Sequence, residues 1–399
     1  MRVDVSRITQ GRDARLDFFR GVAMFIILIA HITANPWTLW IPARFGFSDA
    51  AEIFVFCSGV ASALAFGATF SRAGWTMGAL RIAHRVWQVY WTHIGVFFAT
   101  LFLVLALNAT GIVPRDEVGA LNLHSFLRDA GLNLLGLMTL TYAPNYFDIL
   151  PMYLVILAMI PAMAALARVD VRLALLASVA LWAAATAGLN LPAELWFPSG
   201  SDRRWFFNPF AWQIVFFTGY ALAAGWLPRP PVRRELVALA ALIVLVSAPF
   251  ASHRIHAAST FLTEWRHEWS FLFAKSDLGV LRYAHFLAVA YLAWAAAGEG
   301  GRRLRRTGRA GAAIAVVSQV GQQSLAVFAA SMVLARLLGA ALALAGGGAL
   351  ATLVVNLAGF AAIIAVARTA ALFKAKPWSR AAAQSSPAVM PTGAALARS

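Results

Sequence analysis

The sequence predicts an all-α polytopic membrane protein with about ten transmembrane helices and both termini in the cytoplasm. Three observations carry that expectation. Hydrophobic residues make up 61% of 399 residues and charged residues only 13%, against about 25% charged in a soluble domain. Apolar runs long enough to cross a bilayer recur along the whole chain. The net charge of +16 comes from Lys and Arg gathered between alternate runs. This excludes disorder, a coiled coil and an ordinary soluble enzyme. On a soluble protein such a charge would point to nucleic acid. Here it reads as topology, and the partner is the lipid bilayer, with no nucleic acid. The single cysteine, Cys57, leaves no intramolecular disulfide.

Each element follows in order. Residues 1–20 carry Arg2, Arg7, Arg12, Arg15 and Arg20, and the apolar run GVAMFIILIA follows. The next residues, HITANPWTLW, offer no small-residue cleavage site. An uncleaved first span over 16–35 is therefore expected rather than a signal peptide. Further spans are expected at 49–70, 83–107, 149–167, 172–189, 209–226, 235–250, 280–297, 318–345 and 350–373. Segment 126–141 is short and carries Arg128 and Asp129, so it reads as an interfacial or re-entrant helix. One integral-membrane domain covers 1–376. Residues 377–399, rich in Ala, Ser and Pro, read as a disordered cytoplasmic tail.

Loop charge sets the orientation. With the N-terminus in the cytoplasm, 21 Lys and Arg fall inside and nine outside, which favours both termini inside. Arg20, Arg336 and Arg368 fall within spans. The outer loops 108–148, 190–208 and 251–279 are the long ones, so most of the chain outside the bilayer faces the far side.

Ionisable residues inside spans are costly and each is a candidate functional residue. The densest set lies on the first two spans. Arg20 and His31 are eleven positions apart, on one helical face and about 16 Å apart along the axis. Asp17 precedes Arg20 by three and can pair with it. Asn35 follows His31 by four, on the same face. On the second span, Asp49 and Glu52 enter from the side that His31 approaches. A carboxylate there can orient an imidazole and raise its basicity. Ser48 and Asp49 also suit a plain helix start. Arg81 and Arg85 are one turn apart near the third span; they fit either positive-inside topology or a phosphate clamp.

Later spans carry polar residues among aromatics: Tyr146 and Asp148, Trp212 and Gln213, then Lys275, Asp277, Arg282 and His285. Aromatic belts explain the rings but not the Asp, Gln, Lys and Arg. A carbohydrate site uses both. Arg336 sits in the apolar stretch MVLARLLGA, either paired or snorkelling. There is no P-loop, GxSxG or HExxH pattern, and no metal site is expected. Buried Asp, Arg and His also suit a transporter or flippase moving a small anion or lipid-linked sugar.

The blocks RDARLDFFRGVAMFIILIAHI and FGFSDAAEIFVFCSG resemble the start of the OpgC family. YFDILPMYLVIL, FNPFAWQIVFFTGYAL, KSDLGVLRYAHFLAVAYLA and GQQSLAVFAASM resemble later blocks of that family in order, up to about residue 373. The family resembles the wider membrane acyltransferase-3 superfamily, whose Arg-x10-His pattern is matched by Arg20 and His31. Its Arg-x-x-Arg pattern is only approximated by Arg81 and Arg85, and no late His follows Ser324 and Leu325.

The resemblance implies a membrane-bound O-acyltransferase in the bacterial inner membrane. It would move an acyl group, typically succinyl, from cytoplasmic acyl-CoA to hydroxyls of a periplasmic glucan. His31 would be the general base, oriented by Glu52 or Asp49, with Asp17 and Arg20 on the same stripe. Arg12, Arg15, Arg20, Arg81 and Arg85 would meet acyl-CoA. Asn35 or a nearby amide would serve the thioester oxygen. A succinyl carboxylate would call for a cation, Arg336 or Arg282.

Overall fold

The computed structural model describes residues 13–196 and 201–378. These are mostly helical, with no strand among them. The long helices are α1 (Ala14–His31), α2 (Ala50–Arg72), α3 (Gly74–Thr110), α4 (Ile149–Val169), α5 (Val171–Thr186) and α6 (Pro209–Ala224). They continue with α7 (Arg234–Ala251), α8 (Val280–Ala297), α9 (Gly308–Gln322), α10 (Ser324–Leu344) and α11 (Ala349–Ala375).

Seven of these, α2, α3, α4, α7, α8, α10 and α11, are long and apolar enough to cross a membrane. The shorter α5 and α6 are apolar as well. The protein is a multi-pass membrane protein. Arg15, Asp17 and Arg20 lower the hydropathy of α1, which is otherwise apolar.

Three boundaries differ from the sequence expectation. Helix α1 stops at His31, because Ile32 turns to extended backbone and Ala34 takes a left-handed φ of 58°. Pro36 follows and disfavours helical geometry at Asn35, which is extended. Asn35 therefore does not continue the helical face of His31; its side chain caps a short 3-10 turn, Pro36–Trp40. The expected span 318–345 is two helices, α9 and α10, parted at the polar pair Gln322 and Gln323. Gln322 turns to donate to Asp17 Oδ2 at 3.2 Å. Helix α3 starts nine residues before the expected 83, at Gly74, and its 37 residues reach about 55 Å. Segment 126–141 forms two short helices, His124–Arg128 and Ala130–Met138. The longer, nine residues, spans only about 14 Å, too short to cross a bilayer.

Small residues set the closest contacts. A Cβ on Gly59 of α2 would collide with the Phe216 carbonyl of α6, and one on Gly219 of α6 with the Phe56 carbonyl of α2. The two backbones thus touch through reciprocal glycines, the contact that van der Waals packing rewards where no hydrophobic drive operates. Helices α1 and α9 repeat the device with Gly21 against Val317 and Gly321 against Asp17.

The long loops fold over one end of the bundle, where α1 ends and α2 and α4 begin. Backbone bonds knit them: Ala143 N–H to the Ala193 carbonyl at 2.9 Å, Ala193 N–H to Arg203 at 2.9 Å, and Asn208 N–H to Ser276 at 3.2 Å. Arg81 and Arg85 lie at the opposite end, early in α3.

Candidate active site

A cavity of about 930 Å³ lies under this cap, at the end of α1. His31, Asp49, Tyr146, Asp148, Lys275 and Asp277 line it, with Asn145 and Arg203. A side pocket of about 300 Å³ shares His31 and Tyr146 and adds Thr33, Arg44 and Arg336. His31 therefore lines both spaces.

The His31 ring is the last side chain of α1, and its Nδ1 lies 2.7 Å from the Ile27 carbonyl one turn back. A carbonyl only accepts, so Nδ1 carries the proton and donates. Nε2 of the neutral ring then holds the lone pair. Tyr146 meets the ring edge-on at 5.5 Å. Tyr146 itself has a left-handed φ of 71°, a costly backbone for an aromatic residue, and such strain gathers at functional sites.

The carboxylates of Asp49 and Glu52 are turned to cations and backbone. Asp49 caps α2 by accepting from Ala51 N–H at 2.7 Å. Glu52 completes the capping box by accepting from Asp49 N–H at 2.8 Å. Asp49 Oδ2 accepts from Lys275 Nζ at 2.6 Å and from Arg282 Nη2 at 3.1 Å, while Arg282 Nε pairs with Glu52. The ring of His31 is thus oriented by the Ile27 carbonyl rather than by Glu52 or Asp49. Burial raises the Asp49 carboxyl, but the charges of Lys275 and Arg282 outweigh it and hold the group well below the usual carboxylate range. Burial raises the Asp148 carboxyl above that range, against the bond it accepts from Phe206 N–H at 2.7 Å.

Several predicted site residues serve the scaffold. The amides of Asn35 and Asn356 pair at 2.8 and 3.0 Å and tie the end of α1 to α11. Asn35 Oδ1 also takes Trp37 N–H at 3.1 Å, so its amide is committed and is not a donor for a thioester oxygen. Gln213 is fully buried and locks α6 to α5 through Ser178. Trp212 is fully buried and donates to the Lys275 carbonyl at 2.9 Å, fixing that residue's backbone. Asp277 lines the cavity and accepts from Asn208 at 2.9 Å. His285 stands behind the cavity wall, held by Ser48 Oγ at 2.8 Å.

The arginines away from the cavity are held within the chain. Arg20 donates to the Cys57 carbonyl at 2.8 Å, bridging α1 to α2. Arg15 bonds Asp13 at 2.7 Å and stacks on Trp294. Arg81 donates to the Ala65 carbonyl and to Thr69 Oγ1 at 2.7 and 2.6 Å, while Arg85 reaches Gln88 at 3.1 Å. Arg12 lies outside the described residues. Among the described residues, no group of three His, Cys, Asp or Glu could hold a metal ion.

Sequence reasoning missed Asn145 and Arg203. Arg203 bonds Glu194 at 2.8 Å and Asn145 at 3.0 Å. Loop residues without periodicity give no pattern to read; only the charge of Arg203 could have flagged it.

The fold and site define a class: a multi-pass, all-helical membrane protein with a histidine in the lining of a loop-capped cavity. The model of the OpgC protein family matches residues 12–375, nearly the whole chain, and the chain belongs to that family. Neither the curated proteins nor the solved structures give a match. Membership points to a membrane acyltransferase.

Proposed function

We propose that this protein is a membrane-bound O-acyltransferase that moves a succinyl group from cytoplasmic acyl-CoA to a hydroxyl of a periplasmic glucan. One observation carries the reading: His31, its Nδ1 proton tied to Ile27 and Nε2 left as the basic nitrogen, lines a cavity large enough for a sugar. Asn145, Tyr146, Asp148, Arg203 and Asp277 supply the ring and hydrogen-bonding groups that a carbohydrate uses.

His31 Nε2 takes the proton of a sugar hydroxyl as its oxygen attacks the thioester carbonyl carbon. The carbonyl oxygen becomes an oxyanion, then the C–S bond breaks. The thiolate leaves and recovers the proton from the imidazolium. An ester and free CoA result, with no net proton change at His31. Lys275 lines the cavity and, with one N–H on Asp49, keeps two further donors for the oxyanion, whereas the Asn35 amide is committed. Donor phosphates would meet Arg15, Arg81 and Arg85 at the opposite end, with Arg20 and Asp17 along the path. The acceptor would enter under the loop cap.

The ten-span topology belongs to the same reading. Helices α1, α5 and α6 join the seven long apolar ones, α9 stays at the surface beside α1, and both termini lie in the cytoplasm, in the bacterial inner membrane.

Glucans from a bacterial strain lacking acyl substituents test it. Expression of this chain should add succinyl esters, read by mass analysis. Glucans left unchanged, with the protein inserted in the membrane, would contradict the assignment and favour a transporter.

A further inference from the structure

We infer that Arg336 is the specificity-determining residue that selects a donor whose acyl group ends in a free carboxylate. The inference rests on the acyl-transfer reading above and deepens it.

Arg336 lies on α10, in an apolar helix, and only 5% of it is exposed. It makes no ion pair among the described residues. Its partners are neutral hydroxyls: Nη1 donates to Thr33 Oγ1 at a long 3.3 Å, the Tyr146 hydroxyl is a second acceptor, and the guanidinium stands 5.0 Å over the Tyr146 ring. The carboxylate that acts on it is Glu117, and Glu117 is paired with Arg115. A buried cation with so little compensation is costly unless an anion arrives. The other candidate, Arg282, is already neutralised by Glu52 and Asp49.

The placement fits a dicarboxylic acyl group. Arg336 lines the side pocket that opens beside His31. Tyr146 lies between them, 5.5 Å from the His31 ring and 5.0 Å from the guanidinium. The sum of those two distances bounds the gap. A four-carbon acyl chain with bonds of about 1.5 Å spans roughly 4 Å. The acceptor oxygen stands between His31 and the thioester carbon, a hydrogen bond of about 2.8 Å from Nε2 and a near-attack separation of about 3 Å from the carbon, and a charge-assisted hydrogen bond of about 2.8 Å closes the other end. Laid end to end these exceed the gap, so a donor bent around Tyr146, its thioester beside the acceptor at His31, places its distal carboxylate on Arg336. An acetyl group leaves the cation unpaired. Guanidinium and carboxylate match in a planar fork, which Lys cannot reproduce.

The test uses purified full-length protein in lipid nanodiscs, with CoA release measured for succinyl-CoA and acetyl-CoA at several concentrations and with glucan acceptor. In wild type, kcat/KM should favour succinyl-CoA. Arg336→Gln should lower that ratio at least about tenfold, mostly through KM, the loss of one charge-assisted contact. Arg336→Lys should recover part of it. An unchanged ratio, with both donors slowed alike, would overturn the inference. Thermal stability with added succinate or acetate separates this from failure of the transfer reading. Succinate should stabilise wild type and not Arg336→Gln. If no donor turns over but this difference holds, the transfer reading falls and the anion site stands. Equal stabilisation of both proteins overturns the site.

Discussion

His31 Nδ1 and the Ile27 carbonyl stand 2.7 Å apart within one turn of α1. Because the bond is to backbone, no side-chain substitution elsewhere removes it. The tautomer that leaves Nε2 basic is therefore built into the helix end. The neighbouring charges, Asp49, Lys275, Glu52 and Arg282, form a separate unit that joins α2 to α8 and to the loop before it.

That unit should be strongly coupled. Glu52→Gln leaves the buried Arg282 short of a partner, and breaking a buried pair costs about 3–5 kcal/mol. Arg282→Met should cost a similar amount. The double substitution should be less damaging than the two single effects together. Thermal unfolding in detergent checks this, and additive losses would show that the pair is not a unit.

Asp49 gives a pH expectation with a definite sign. Its folded carboxyl lies below the usual value, so its contribution is full above the unfolded pKa, about 4. The contribution is lost as pH falls through the folded value. The stability gap between wild type and Asp49→Asn, read by thermal unfolding, should narrow as pH falls below about 4. A gap that holds constant into strong acid would show that the ion pairs do not depress Asp49.

The Asn35–Asn356 pair should act on stability, not on the chemical step. Removing either amide leaves the other buried and short of a partner, at about 1–3 kcal/mol. Asn35→Ala and Asn356→Ala should lower the melting temperature alike, and the double variant should add little more. A kcat loss confined to Asn35→Ala would return Asn35 to the chemistry.

Gly59 tests the helix contact. A methyl there meets the Phe216 carbonyl, a backbone atom that cannot swing aside. Gly59→Ala should cost about 1–3 kcal/mol, the usual range for overpacking, and Gly59→Leu should prevent assembly. Full stability of Gly59→Leu, read by size-exclusion profile and melting temperature, would show that α2 and α6 are not in this contact.

Seven of the expected spans were legible because hydropathy over about 20 residues is a local signal. His31, Asp49 and Lys275 were legible because charge inside or beside an apolar run stands out. Their partners were not. The commitment of Asn35 depends on Asn356, 321 positions away, and on a helix that Pro36 helps to stop. Gln213 and Trp212 looked like binding groups because sequence shows polarity but not burial. The break between α9 and α10 turns on Gln322 meeting Asp17, a contact 305 positions long. The pairing of Arg282 and the isolation of Arg336 likewise need the folded bundle.

The most direct test of acyl transfer at His31 is the rate of acceptor-dependent CoA release by purified wild type and His31→Ala, under identical conditions and with melting temperatures measured in parallel. Wild type should release CoA only when glucan is present. His31→Ala should melt near wild type and be slower by about 10²–10⁴, the usual contribution of a general base. Release at the wild-type rate by a folded His31→Ala protein would contradict the assignment.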